Sequence, residues 1–245
     1  MNEALDVVLI SLRDPDDPMA GHELGCFQQF TGVQDIRVLH ASATPAGRRE
    51  LDADLLLFGG SGAYSVLDPH PWVRRFLDFL VAAVDEGVPA WGSCFGYQGL
   101  ALALGGKVVR DDARARLGAY EVQVTPQGRQ DPVFSVLPPS FHAQYGHHDH
   151  VVALPSGVEL LSVDPEGRFE ALRVSGSHFR AAQFHPELTT ALTLSRFAHY
   201  RDHYAHDEYE TIVAKISAWQ DTGEVQAVLP AVVADARRVR AQRKG

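Results

Sequence analysis

The chain has 245 residues, 45% of them hydrophobic and 22% charged, enough apolar material for one large domain with its own core. Its formal net charge of −9 argues against nucleic acid or anionic lipid as a partner, and no apolar run approaches the roughly 18 residues that a membrane span needs. Two cysteines, Cys26 and Cys94, make no disulfide framework and suit a reducing cytoplasm, and the acidic N-terminus MNEALDVVLI lacks the basic region and cleavage site of a signal peptide.

Residues 5–12, LDVVLISL, read as a short buried strand, which Asp14-Pro15-Asp16-Asp17-Pro18 breaks. Residues 20–31 read as a helix and 35–40 as a second strand. Residues 54–58, DLLLF, are a third strand that ends at Gly59-Gly60-Ser61-Gly62. The spacing of Trp72, Phe76, Leu77, Leu80 and Val84 predicts a helix over 71–86, with Gly87 suited to its end. Residues 88–93 read as a strand, and 95–104 as a helix closed by Gly105-Gly106. This β-α-β-β-α-β-α order with short apolar strands predicts an α/β fold, a mostly parallel sheet with helices on both faces.

The second half is richer in strands. Residues 118–125, 151–153, 158–163, 169–174 and 178–184 are expected to extend the sheet, some of them antiparallel. Residues 190–219 return to a helical pattern, and 225–243 read as one more helix. No internal repeat is visible, so we expect one domain over 1–200 and a helical C-terminal extension over 201–245. The basic run Arg237, Arg238, Arg240, Arg243 and Lys244 reads as a solvated helix end, where positive charge suits the macrodipole.

The most informative stretch is Gly92-Ser93-Cys94-Phe95-Gly96-Tyr97-Gln98, a strand, then Gly-x-Cys-x-Gly, then a helix. A nucleophile on a sharp strand-to-helix turn needs small neighbours two residues to each side, and Gly92 and Gly96 supply them. The turn would expose the sulfur at the carboxyl edge of the sheet, at a helix N-terminus whose dipole favours negative charge. It would also aim the Phe95 N–H at a forming oxyanion. Read alone, the pattern fits a buried core cysteine equally well. The second stretch is Gln183-Phe184-His185-Pro186-Glu187, at the end of a predicted strand. A cysteine hydrolase needs an imidazole to take and return a proton, and an acceptor on the other ring nitrogen to fix its tautomer. In extended backbone Glu187 lies on the same side as His185, within reach of its ring.

Together, GSCFGYQ, QFHPE about ninety residues later and the Gly-rich turn at 59–62 resemble the class I glutamine amidotransferase family, over roughly residues 5–200. The nearest likeness is to glutaminase domains of the GMP synthetase type and stand-alone proteins similar to them. The resemblance implies a flavodoxin-like sheet and hydrolysis of glutamine through a γ-glutamyl thioester, with Cys94, His185 and Glu187 as the triad and no cofactor. It implies backbone N–H groups of Gly60 and Phe95 as oxyanion donors. It implies Gly62, Gln98 and the segment Gly146-His147-His148-Asp149 as the part that meets the substrate. The chain departs from the pattern at His148, where relatives carry glycine, and at Phe58-Gly59, where several carry polar residues.

The chain has no ATP-pyrophosphatase loop, so a synthase would have to be a separate protein. A γ-glutamyl peptidase or γ-glutamyl-amine hydrolase with the same triad is the alternative. A non-catalytic binding module is the third reading, against which the intact triad argues. His147-His148-Asp149-His150 has no partner cluster at ligand spacing, and the i, i+4 pair His199/His203, which could chelate zinc, lacks the His-Glu-x-x-His arrangement and reads with His206 as a solvated polar face, so no metal is expected; Gly59–Gly62 lacks the Lys-Ser/Thr of a phosphate loop.

Overall fold

Strand β1 (Val7–Ser11) turns Val7 and Leu9 to one face and Val8 and Ile10 to the other, and all four are buried. Strand β3 does the same, with Leu55 and Leu57 on the first face and Leu56 and Phe58 on the second. A sheet apolar on both faces needs helices on both, and the structure, a computed structural model that describes residues 4–201 and 206–244, supplies them.

In chain order the elements are β1, α1 (Pro18–Thr31), β2 (Ile36–His40), the single turn α2 (Arg48–Leu51), β3 (Leu55–Phe58), α3 (Pro71–Asp85), β4 (Ala90–Ser93) and α4 (Phe95–Ala103). Then come β5 (Lys107–Arg110), β6 (Arg116–Val124), α5 (Pro126–Gln130), β7 (Ser140–His147), β8 (Asp149–Ala153), β9 (Val158–Val163), β10 (Phe169–Val174) and β11 (Phe179–Ala182). Helices α6 (Thr190–His199), α7 (His206–Ser217) and α8 (Val228–Lys244) follow. The main sheet runs β2-β1-β3-β4-β11-β10-β9-β6-β7; its first five strands are parallel and the rest pair antiparallel. The parallel part is the 2-1-3-4-5 order of flavodoxin-like sheets, with β11 as fifth strand. Helices α3 and α4 cover one face through Trp72, Phe76, Leu80 and Leu100, and α1 and α8 the other through Phe27, Leu229, Val232 and Val233.

Local chemistry sets the helix ends. The Asp17 carboxylate caps α1 by accepting from the Met19 N–H at 2.8 Å, Pro18 opens the helix, and Gly32 closes it at φ 71°. A buried ion network ties α8 to β11. Arg180, 2% exposed, donates to Asp131 at 2.9 Å and to Asp235 of α8 at 2.7 Å. No helix among the described residues is long and apolar enough to cross a membrane.

Three regions differ from the sequence reading. Residues 140–147 form a full strand that pairs with β6 along its length, and β5 pairs with β8 in a separate two-stranded sheet. The predicted helix over 190–219 is two helices, α6 and α7, whose Phe197 and Tyr209 rings stack at 5.0 Å.

The turn after β4 is tightly packed. A Cβ at Gly96 would lie 2.8 Å from Phe58 Cβ and 3.1 Å from the Phe58 carbonyl oxygen. Gly96→Ala is therefore expected to lose about 1–3 kcal/mol of stability in urea unfolding through overpacking, and an unchanged midpoint would contradict this packing.

Candidate active site

Three loops meet at the carboxyl edge of the parallel strands: Gly59–Gly62 after β3, Cys94 after β4, and His185 after β11. Cys94 caps α4 with φ 52° and ψ −98°, and it is the only non-glycine residue with positive φ among those described. Its N–H donates to the Ala182 carbonyl at 2.8 Å, which ties the turn to the neighbouring strand. The thiol lies 3.9 Å from the Gly146 carbonyl oxygen.

His185 Nδ1 lies 2.6 Å from Glu187 Oε1, and the ring and the Cys94 side chain both stand against Gly60. The reach to Glu187 is made by a turn and not by extended backbone: the Leu188 N–H donates to the His185 carbonyl at 3.1 Å, and the chain reverses over Pro186 and Glu187. The His185 N–H donates to the Gln144 carbonyl at 3.0 Å, so β7 fixes the ring's backbone. Glu187 is fully buried, and its second oxygen accepts from Ser93 Oγ at 2.9 Å; Ser93 Oγ in turn accepts from the Trp91 ring nitrogen at 2.9 Å. Burial alone would lower the His185 pKa, but the Glu187 charge, with the neighbouring Cys94, outweighs it and holds the imidazole up at about 9. Burial pushes Glu187 up, and the facing imidazolium outweighs that and lowers it.

The other expected site residues lie around one cavity of about 540 Å³. Phe95 opens α4, so its N–H has no acceptor within the helix. A Cβ at Gly60 would stand 3.1 Å from His185 Cε1 and 3.8 Å from Cys94 Cβ, so a larger residue there would press on the histidine ring. The Gly60 N–H, however, does not face the sulfur unoccupied: it donates to Glu23 Oε1 at 3.0 Å. Gly62 lies against the Tyr200 hydroxyl. Gln98 lines the cavity while its amide donates to the Asp149 carbonyl at 3.0 Å and Gln183 at 3.2 Å, which ties α4 to β8. Gly146 and His147 end β7; His147 is buried, with Nδ1 2.8 Å from the Asp149 carbonyl oxygen. His148 is the exposed residue between β7 and β8, with Nδ1 2.8 Å from Asp112. The segment 146–149 is thus the junction of two strands. His203 lies outside the described residues.

Sequence reasoning does not reach Ser93, Trp91, Glu23, Arg13 or Tyr200. Trp91 and Ser93 share one strand face at i and i+2, which is the only sequence signal for that pair. Glu23 is a charged residue on a helix whose contact, 37 positions away, is purely tertiary.

The sequence profile of the family described as "Glutamine amidotransferase class-I" matches residues 35–199. A protein of Sulfurisphaera tokodaii, named as one subunit of a glutamine-hydrolyzing GMP synthase, is 29% identical over 161 residues, 64% of this chain and 81% of the relative. The protein of the same description from Sulfolobus acidocaldarius is 31% identical over 135 residues, 55% of this chain and 68% of the relative. Against the glutamine-hydrolyzing GMP synthase of Thermomicrobium roseum the match is 34% over 105 residues and spans only 19% of that longer protein. Among solved structures, a putative GMP synthase subunit from Thermoplasma acidophilum superposes with a TM-score of 0.70 at 18% identity, covering 100% of both chains. A glutamine amidotransferase from Thermotoga maritima gives 0.69 at 17%, covering 96% of this chain and 99% of that one. At these identities the two superpositions show a shared fold.

The raised imidazole fixes a pH dependence. A histidine held at about 9 when folded and near 6.5 when unfolded adds stability that is fully present below pH 6.5 and lost as pH rises through 9. Glu187→Gln removes the cause, so the stability gap between parent and variant is expected to shrink by on the order of 2–3 kcal/mol between pH 6 and pH 10. Urea unfolding at both pH values checks this, and a gap that stays constant contradicts it.

Proposed function

The chain belongs to the class I glutamine amidotransferase family, and from that premise we propose that it hydrolyses the side-chain amide of glutamine at Cys94 and passes the ammonia to an acceptor on a separate synthase subunit. The single observation that carries this reading is the hydrogen-bonded series His185, Glu187, Ser93, Trp91 set beside Cys94 at the carboxyl edge of the sheet. Sulfur attacks the amide carbon with its proton already held on His185, and the Phe95 N–H meets the oxyanion. His185 then returns the proton to the leaving nitrogen, and ammonia departs from a γ-glutamyl thioester. Water, deprotonated by His185, opens the thioester and releases glutamate. Glu187 holds the ring in the tautomer that faces sulfur and stabilises its cationic form. No step calls for a metal or a cofactor. Gln98, Gly62 and residues 146–148 line the cavity where the amino-acid end of the substrate would sit.

The separate synthase is supported by relatives that are themselves named as subunits and whose length the match largely covers, 81% and 68%. One observation keeps a second reading in play. The cavity of about 540 Å³ lies within the range that holds drug-sized ligands, which leaves room for a γ-glutamyl peptide or amine. Steady-state kinetics on the isolated chain separate the two: kcat/KM for γ-glutamyl peptides about tenfold or more above that for glutamine would favour the peptidase.

The nucleophile has its own test. Burial pushes the Cys26 thiol up to about 12, with the nearby charges adding smaller and partly opposing effects, and this leaves it a poor nucleophile. Cys94→Ser is expected to abolish glutamate release and Cys26→Ser to leave it intact, while His185→Asn costs several powers of ten and Glu187→Gln less. Near-parental turnover in Cys94→Ser or His185→Asn would overturn these assignments.

A further inference from the structure

Glu23 lies on α1 with no solvent exposure, yet its carboxylate is under-used. Oε1 accepts the Gly60 N–H at 3.0 Å, and Oε2 has no partner. Gly59 lets it come this close, because a Cβ there would run into the carboxylate. Arg13, equally buried, stands beside it with Nε 3.6 Å from Oε1, too long for a hydrogen bond, and that nitrogen is also without a partner. The Arg13 Nη1 group is directed elsewhere, donating to Asp17 at 3.2 Å and to the Tyr200 hydroxyl oxygen at 2.9 Å. That hydroxyl, just past the end of α6, fills the space over Gly62. The Gly60 N–H that the family resemblance assigns to the oxyanion and the Gly62 it assigns to the substrate are therefore both engaged by the protein's own side chains.

A buried guanidinium and a buried carboxylate whose nearest atoms are 3.6 Å apart, each keeping one atom without a partner, point to a second, better-bonded arrangement nearby. In it Arg13 closes onto Glu23 as a bidentate pair, and Oε1 leaves Gly60. We propose that Glu23 is a positioning residue that withholds the Gly60 amide from the oxyanion site, and that Tyr200 maintains this by keeping Arg13 turned away. The amino-acid end of a substrate seated over Gly62 displaces the Tyr200 hydroxyl, Arg13 pairs with Glu23, and the Gly60 N–H becomes the second oxyanion donor beside that of Phe95. Until then a carboxylate occupies the N–H that a developing oxyanion needs, and the two negative charges compete for one donor. The inference rests on the proposed Cys94 chemistry, in which an oxyanion forms at this place. A single oxyanion donor is worth about a hundredfold to a thousandfold in kcat, which bounds what the Glu23 contact can withhold.

The test uses the full chain, with Tyr200→Phe as the principal variant and Glu23→Ala as the second, each checked for cooperative unfolding. Two quantities are read: kcat and KM for glutamine, and the Gly60 amide resonance in protein labelled with 15N-glycine. The expected result for Tyr200→Phe is a rise in kcat of about tenfold with KM equal or lower, and an upfield move of the Gly60 amide proton as it leaves the carboxylate. Glu23→Ala is expected to move that resonance the same way. A kcat for Tyr200→Phe at or below the parent's, or a Gly60 resonance that stays in place, overturns the proposal. If no chain releases glutamate from glutamine, the functional reading has failed. The Gly60 resonance then decides the Arg13–Glu23 exchange alone, its movement in Tyr200→Phe supporting the exchange and its constancy refuting it.

Discussion

Cys94 sits in a backbone conformation that L-residues avoid, φ 52° and ψ −98°, at a cost of roughly 1–3 kcal/mol. It persists because its surroundings over-determine it. Gly96 packs against Phe58 of β3, a Cβ at Gly92 would lie 3.0 Å from the Gly96 backbone, and the Cys94 N–H is held by the Ala182 carbonyl of β11. The parallel pairing of β4 with β11, which matches Ser93 with Ala182, sets the distance between the sulfur and the histidine that follows β11. A one-residue slip would turn the cysteine side chain to the other face of the sheet. The strained turn and the strand register are therefore one constraint, and the cavity is arranged around it.

Two buried polar clusters flank that turn and behave differently. Glu187 accepts from His185 and from Ser93, so both of its oxygens are bonded, and Trp91 fixes Ser93 from behind. A satisfied buried network of this kind rigidifies what it holds. On the other side Glu23 and Arg13 each keep an atom without a partner, and Glu23 is in direct contact with the Gly59–Gly60 turn. One side of the nucleophile is locked and the other is poised between two bonding patterns, which is where the proposed change in the oxyanion site resides. Helix α8, joined to β11 through Asp235 and Arg180, supports the locked side from beneath the sheet.

The half of the fold that a sequence can announce is the half built from short apolar strands. The runs at 7–11, 55–58 and 90–93 are legible because both faces of each are buried, the edge run at 36–40 because Ile36, Val38 and Leu39 are apolar although Val38 is exposed, and the Gly-x-Cys-x-Gly turn because tight packing leaves few residue choices. Strand β7 escapes notice although Phe141, Ala143 and Tyr145 alternate inward, because Gln144, Gly146 and the flanking histidines dilute the apolar signal. Helices α6 and α7 share one helical pattern, and nothing in that pattern marks where the chain folds back. Within the candidate site, Cys94 and the His185–Glu187 pair are legible as local patterns that the fold brings together. The Glu23–Gly60 contact and the Ser93 bond to Glu187 join segments 37 and 94 residues apart, and no local pattern encodes either.

The central claim is that glutamine is opened at Cys94 through a covalent γ-glutamyl thioester. Acid-quenched samples taken during turnover, digested and analysed by mass spectrometry, test it directly. The account predicts that the peptide containing Cys94 carries the mass of one γ-glutamyl group, that hydroxylamine removes it, and that the peptide containing Cys26 is unmodified. Steady release of glutamate with no adduct on Cys94 at any quench time, or an adduct on another residue, would contradict it.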